Sequence, residues 1–245
     1  MKILLAPAET KNSGGSKASF CKENFLFPEL FEKREEIFSK YENFLSLSSI
    51  EELSTWFGLK KLDEVQRYKE SLVNKPTMKA INRYDGVAFD ALDYNSLNKE
   101  SQNFVDENVL LFSNLFGPLK ASDLIPDYKY KQGAKLPDTN VEKFYIDNFT
   151  EALDDFVGEE VIELRAGFYE KFYKVKKAKV LTFKFVKDGK VVSHWAKFYR
   201  GKVLQEIAKN KIKSHSEFMA MQIPGLKLNE IQEKKNIRLL IMDIV

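Results

Sequence analysis

Apolar residues recur along this chain with two periods. From Pro28 to Phe44 they fall at Leu30, Phe31, Ile37, Phe38, Tyr41, Phe44 and Leu45, the stripe of a helix. A second helix is predicted over Ser49 to Phe57, where Ser49 and Glu52 stand at capping-box spacing. Gly58 breaks it, and a third helix runs from about Lys60 to Leu72. Asn98 to Glu107 also reads as helical. Asn140 caps a helix whose stripe is Val141, Phe144, Tyr145, Phe149, Leu153 and Phe156. Extended segments are predicted at Ile3 to Ala6, Val109 to Phe112, Val161 to Leu164 and Ile237 to Ile241. Val180 to Val186 alternates, and Lys187-Asp188-Gly189-Lys190 turns it into a strand from Val191 to Trp195. Arg200 to Lys211 reads as a basic helix. Helices dominate the first half and strands cluster in the second. No repeat, low-complexity tract or long linker divides the chain. The expected fold is α+β, one domain over residues 1–245 with a mixed sheet surrounded by helices.

Composition narrows the chemistry. Cys21 is the single cysteine, so an internal disulfide and a cysteine-based zinc site are excluded. His194 and His215 are the two histidines, which excludes a His-rich metal centre. No metal or cofactor is expected, although a carboxylate-bound Mg²⁺ stays open. No apolar run reaches membrane-spanning length, and the apolar start is too short for a signal peptide. The expected setting is the cytoplasm, with no membrane and no obligate protein partner.

Charge is unevenly placed. Arg165 to Lys213 holds fifteen Lys or Arg against Glu170, Asp188 and Glu206, a net of +12 in a chain of net +3. The 164 residues before it carry a net of −9. Such polarity fits a polyanionic partner, phosphate above all, against the plainer reading of a solvated lysine-rich surface.

Four segments could carry chemistry. Residues 6–15 follow the first strand with Glu9, Lys11, Gly14 and Gly15, a loop that could present N–H groups and a cation to an anion, or simply connect. Phe57-Gly58-Leu59-Lys60-Lys61 between two helices has the layout of a helix-hairpin-helix over about residues 49–73, or of an ordinary corner with a C-cap glycine. Residues 115–129 carry Asp123 and Lys129 among apolar neighbours and two prolines, either a pocket edge or a rigid loop with Asp123 as a cap. In residues 193–202, extension through Lys197 would put 193, 195 and 197 on one face and His194 on the other. Lys197 and Arg200 then sit at a strand-to-helix junction, with Lys202 following.

Taken together these segments resemble the YaaA family, the peroxide stress response proteins. The landmarks are ILLAPAETKNSGG at 3–15, RYDGVAFDALD at 83–93, LFGPLKASDLIPDYKYKQGAKLP at 115–137, IELRAGFYEKFY at 162–173 and SHWAKFYRG at 193–201. The resemblance implies a bacterial cytoplasmic protein that limits free iron under peroxide. It also implies a positively charged cleft, a helix-hairpin-helix and DNA binding. By motif it points to Glu9, Lys11, Tyr84, Asp85, Gly86, Asp123, Pro126, Tyr128, Arg165, Tyr169, His194, Lys197, Arg200 and Gly201. Lys120 and Lys129 stand where the family commonly has Arg, which keeps the charge and loses the bidentate fork. No enzymatic reaction comes with the resemblance.

Two functions follow as expectations. The first is a DNA-binding protein of the peroxide response, gripping duplex or branched DNA by its phosphates. Its contacts are expected at Phe57, Gly58, Leu59, Lys60, Lys61, Lys197, Arg200 and Lys202. The second is an enzyme acting on a phosphorylated or nucleic-acid substrate. Its motivation is the scatter of Glu9, Lys11, Asp85, Asp123, Arg165, His194, Lys197 and Arg200. Convergence of these residues on one concavity favours the enzyme. The expected cleft is lined by Lys11, Asp123, Arg165, Lys197 and Arg200, with Glu9 and Asp85 near its floor.

Overall fold

The computed structural model describes residues 1–16, 21–73, 75–165 and 167–245; of His194 it describes only the backbone. In chain order the strands are β1 (Lys2–Leu5), β2 (Thr10–Lys11), β3 (Thr77–Lys79), β4 (Tyr84–Asp85), β5 (Val109–Ser113), β6 (Gly117–Lys120), β7 (Leu124–Pro126), β8 (Glu160–Leu164), β9 (Lys179–Lys187), β10 (Lys190–Val191), β11 (Leu226–Lys234) and β12 (Ile237–Ile244). The helices are α1 (Phe31–Leu47), α2 (Ile50–Phe57), α3 (Leu62–Lys69), α4 (Ala80–Arg83), α5 (Val87–Leu92), α6 (Lys99–Asn108), α7 (Val141–Phe156), α8 (Ser193–Asn210) and α9 (His215–Ala220). The fold is α+β with a mixed main sheet.

That sheet runs β11-β12-β9-β8-β1-β5-β6, with β10 on the flank of β9. Its five central strands, β5, β1, β8, β9 and β12, are mutually parallel, while β6 and β11 run antiparallel at the edges. Ile3, Leu4 and Leu5 of β1 are at most 1% exposed, as a parallel strand covered on both faces requires. β1 pairs with β5 on one side and β8 on the other, Leu5 standing opposite both Leu111 and Leu164.

Local chemistry explains the helix ends. Ser49 Oγ accepts from Glu52 N at 3.2 Å and Glu52 Oε2 accepts from Ser49 N at 2.8 Å, completing the capping box of α2. Asn98 and Asn140 cap α6 and α7 through their side-chain oxygens. Gly58 ends α2 with φ of 68°, a left-handed conformation that glycine adopts without strain.

Three expectations need correction. Residues 193–197 are not a strand. β10 stops at Val191 after two pairs with β9, and α8 begins at Ser193. The buried Ala196, Tyr199, Val203 and Ile207 form a helical stripe that the valines of the hairpin masked. Residues 115–129, expected to form a pocket edge or a rigid loop, contain β6 and β7, and Pro118 occupies a strand position facing Phe112. The second edge strand, β11, went unread because only Leu226 of its nine residues is buried.

Helix α8 owes its position to one glycine. A Cβ on Gly201 would lie 2.1 Å from the Ala88 carbonyl oxygen and 2.8 Å from Ala91 Cβ, so α5 and α8 touch backbone to side chain. Gly201→Ala is therefore expected to destabilise the protein by about 1–3 kcal/mol, the cost of overpacking, measurable by chemical denaturation. A variant as stable as the parent would show that this contact does not hold α8 in place.

Candidate functional site

The loops leaving β1 and β8 bound a concavity. It encloses about 430 Å³, within the range of ligand pockets. The parallel strands, numbered by chain order, run 2-1-3-4-5 across the sheet. The order reverses between β1 and β8. Crevices at the carboxyl ends of strands flanking such a reversal are the usual ligand position in parallel sheets. Leu5 and Ala6 come from β1 and its exit, Leu164 from β8, Gly86 to Phe89 from the start of α5, and Lys197 and Arg200 from one face of α8.

Of the residues singled out in the sequence, Glu9, Asp85, Tyr169, Lys197 and Arg200 meet at this concavity. β2 pairs with β4, setting Thr10 opposite Asp85 and Lys11 opposite Tyr84, and so joins the first two motif loops along one wall. Glu9 Oε1 accepts from Gln132 N at 3.0 Å, which ties in the third motif. Arg200 is half-buried, and burial draws its pKa downward against the opposing pull of Glu170 and Glu163. Among the described residues its guanidinium has no hydrogen bond or ion pair; it lies 6.0 Å from the Phe185 ring centroid.

Lys11 lies beside the concavity rather than on its wall. Its Nζ is 4.1 Å from the Tyr128 ring centroid and 3.3 Å from the Glu9 carbonyl oxygen. Burial, with Lys129 nearby, pulls its pKa down to about 7 against the opposing pull of Asp127 and Glu9. Near neutral pH part of the population thus carries a free amine, able to accept a proton. Beneath it Tyr84 and Tyr128 share a hydrogen bond of 2.8 Å, and Ser113 joins Tyr128 at 2.7 Å. Burial raises the Tyr84 hydroxyl to about 12.

Two further expected members of the cleft, besides Lys11, stand elsewhere. Arg165 is 3% exposed and forms a bidentate pair with Glu163, Nε at 2.9 Å and Nη2 at 2.6 Å. It also donates to the carbonyls of Tyr169 and Tyr173, so it shapes the wall without reaching the cavity. Asp123 is buried in the turn between β6 and β7, where its Oδ2 accepts from Leu26 N at 2.9 Å and Lys120 N at 3.0 Å. This is the capping role left open for it. Lys129 is half-buried, its carbonyl accepting from Tyr41 Oη at 2.8 Å. Lys202 donates to Gln205 at 2.9 Å. The His194 side chain lies outside the described residues.

The α2–α3 corner has its own geometry. Phe57 is buried, Leu59 half-buried, and Lys60 and Lys61 exposed. The amides of Gly58 and Leu59 are used in capping α2, on the carbonyls of Ser54 and Thr55. Asp63 and Glu64 occupy the first turn of α3, and Lys61 reaches Glu64 at 3.5 Å. Lys131 packs over Gly58, with its Cδ 3.2 Å from where a Cβ would stand. Missing from the sequence reading was Arg83, fully buried, whose guanidinium donates to the carbonyls of Asn12, Gly14, Pro76 and Ile125. An arginine directly before Tyr-Asp-Gly was the available signal.

The arrangement is an α+β protein with a mixed-charge crevice at the reversal point of its sheet. The pattern that defines the peroxide stress protein YaaA family matches residues 1–232, and the chain belongs to that family. It is 46% identical over 235 residues to an uncharacterised protein of Campylobacter jejuni, covering 96% of this chain and 95% of that one. It is 33% identical over 245 residues to a UPF0246 protein of Corynebacterium glutamicum, covering 96% of each. A UPF0246 protein of Fusobacterium nucleatum is 25% identical over 250 residues, covering 96% of this chain and 97% of that one. The family fits a general role in oxidative stress. No helix among the described residues is long and apolar enough to cross a membrane.

Burial sets an acid-side test of the capping role. Burial raises the Asp123 carboxyl to about 6 from 3.8, against the opposing pull of the two amides and of Arg34 and Lys120. The folded state then holds this proton more tightly than the unfolded chain, so its contribution to stability is full below 3.8 and is lost as pH rises through about 6. Both amides point at one oxygen, which an asparagine carbonyl can replace. Asp123→Asn is expected to fold and to flatten the fall in stability between pH 4 and 6, followed by melting temperature. A parallel fall in both proteins would show that Asp123 is not the group responsible.

Proposed function

We propose that this protein serves the peroxide stress response by binding DNA through sequence-independent phosphate contacts. The observation that carries the reading is the placement of two consecutive residues. Lys131 packs on the α2–α3 corner and Gln132 lines the concavity. On this reading the corner lysines and the α8 cations bracket one surface. Lys197 is exposed, and like Arg200 it has no ion pair among the described residues, so its charge is available to a phosphate. On this reading the α2–α3 corner contributes the Lys60, Lys61 and Lys131 side chains and not its turn amides, which are already bonded to Ser54 and Thr55. Limitation of free iron, which the resemblance implies, is indirect on this reading. Among the described residues no group of three His, Cys, Asp or Glu is placed to hold a metal.

A second reading, an enzyme on a phosphorylated or nucleic-acid substrate, draws support from the meeting of Glu9, Asp85 and Tyr169 with Lys197 and Arg200. It needs turnover of a phosphorylated substrate that Asp85→Asn abolishes.

Duplex affinity is expected to fall steeply with salt, and Lys197→Glu with Arg200→Glu to lower the slope of log affinity against log salt by about 2. Titration of labelled duplexes of several sequences at a series of salt concentrations reads both. Salt-independent affinity, or none at low salt, removes the proposal.

Lys60→Ala with Lys61→Ala is expected to weaken all duplexes alike by a lesser amount, because Lys61 is already paired with Glu64. Unchanged affinity in the folded double variant would return this corner to a purely structural role.

A further inference from the structure

We infer that the concavity at the ends of β1 and β8 is a site for one nucleoside monophosphate unit, its phosphate on Lys197 and Arg200. The inference rests on the phosphate contacts proposed above and adds what lies beyond the phosphate. Three observations carry it.

The first is Arg200. Its guanidinium is half withdrawn from water and has no hydrogen-bonding or ionic partner among the described residues. A partly desolvated cation on a cavity wall gains most from a bound oxyanion, which its fork can meet with two donors. The second is Tyr169. The residue is 7% exposed, yet its hydroxyl makes no hydrogen bond among the described residues, although it lines the cavity near Glu9 and Tyr84. The hydroxyl itself is not sealed from water, so it is open to the cavity and available to a ligand there. The third is the remainder of the lining. Leu5, Pro7, Val87, Phe89 and Leu164 give apolar walls, and the Asp85 carboxylate is a free acceptor among the described residues.

A ligand satisfying all three carries an anion at one end, a flat apolar body, and N–H or O–H donors for Asp85 and Tyr169. Inorganic phosphate meets only the first requirement. A nucleoside lacks the anion. A nucleoside monophosphate has all three, and about 430 Å³ leaves no room for a duplex. A base paired within a helix cannot enter. An unpaired or extruded nucleotide of a strand can, as can a free nucleotide.

The full-length protein is titrated calorimetrically with deoxyadenosine monophosphate, with inorganic phosphate and deoxyadenosine as partial ligands. In parallel, affinities are measured for a paired duplex and for the same duplex carrying one unpaired adenosine. The expected result is saturable binding of the monophosphate, stronger than either partial ligand, or tighter binding of the duplex with the unpaired base. The first identifies a free nucleotide as the source and the second a strand. Arg200→Gln is expected to weaken whichever binding is seen by at least about tenfold, as loss of a charge-assisted bond does, and Tyr169→Phe by about three- to tenfold. Tyr169→Phe keeps the ring contacts with Phe168 and Phe172 and so keeps the fold. Absence of both binding modes overturns the inference, and so does binding indifferent to Tyr169→Phe and Arg200→Gln. The paired duplex separates the two readings. If it binds and the nucleotide arms fail, only the pocket is wrong. If the nucleotide binds and the duplex does not, only the DNA reading is.

Discussion

The site depends on one buried guanidinium. Arg83 closes the four-residue helix α4 and is wholly shielded from solvent. Its donors meet four carbonyls from three separate places: Asn12 and Gly14 in the loop after β2, Pro76 before β3, and Ile125 in β7. Irregular loops leave carbonyls without regular partners, and a buried one without a partner is costly. One arginine with five donors answers several at once. The Arg83 backbone oxygen also accepts from Asn12 N at 2.8 Å. The loop bearing Glu9 and Lys11 is therefore fastened to the segment bearing Tyr84 and Asp85, and one wall of the concavity is rigid before any ligand arrives.

Arginine recurs in this role. Arg165 shapes the segment after β8, neutralised by Glu163 and bonded to two carbonyls of the turn carrying Tyr169. Arg34 in α1 bonds the carbonyls of Leu26 and Phe116 and lies 4.7 Å from the Phe149 ring centroid. Burial lowers its pKa to about 10, still far above neutrality. These cations are occupied by the fold. In the basic stretch from 165 to 213, Lys209 and Lys211 are likewise paired, with Glu206 and Glu100. A count of charges along the sequence therefore overstates what remains for a ligand. Arg200 and Lys197 count for more because, among the described residues, neither forms an ion pair.

The order of the strands decides where that remaining charge goes. β1 is the first strand in sequence and lies near the middle of the sheet, flanked by β5 and β8. The reversal of order beside it leaves the loops after β1 and β8 diverging, and the gap between them is the concavity. Helix α8 reaches the gap because Gly201 lets it sit directly on α5. The β2–β4 pair and the Glu9–Gln132 bond close the opposite side. Gln132 lines the concavity, and its neighbour Lys131 packs over Gly58 of the α2–α3 corner.

Much of the helical framework was legible without tertiary information. α1, α2, α6 and α7 declare themselves through long amphipathic stripes and through caps at Ser49, Asn98 and Asn140, because those signals are local in the chain. Strands β1, β5 and β8 were legible as short apolar runs. The family was legible because its motifs stand in order along the sequence. What the sequence left open is non-local. The order of strands, and hence the location of the crevice, depends on which edges pair across more than a hundred residues. Whether Asp123 and Arg165 face a cleft or cap the interior depends on amides and carbonyls supplied by distant segments. The start of α8 was hidden because a two-residue strand and a helix share the same valine-rich opening, and only the short pairing with β9 decides between them. Composition set the kinds of charge available to this protein; folding decided which of those charges stayed unpaired at one place.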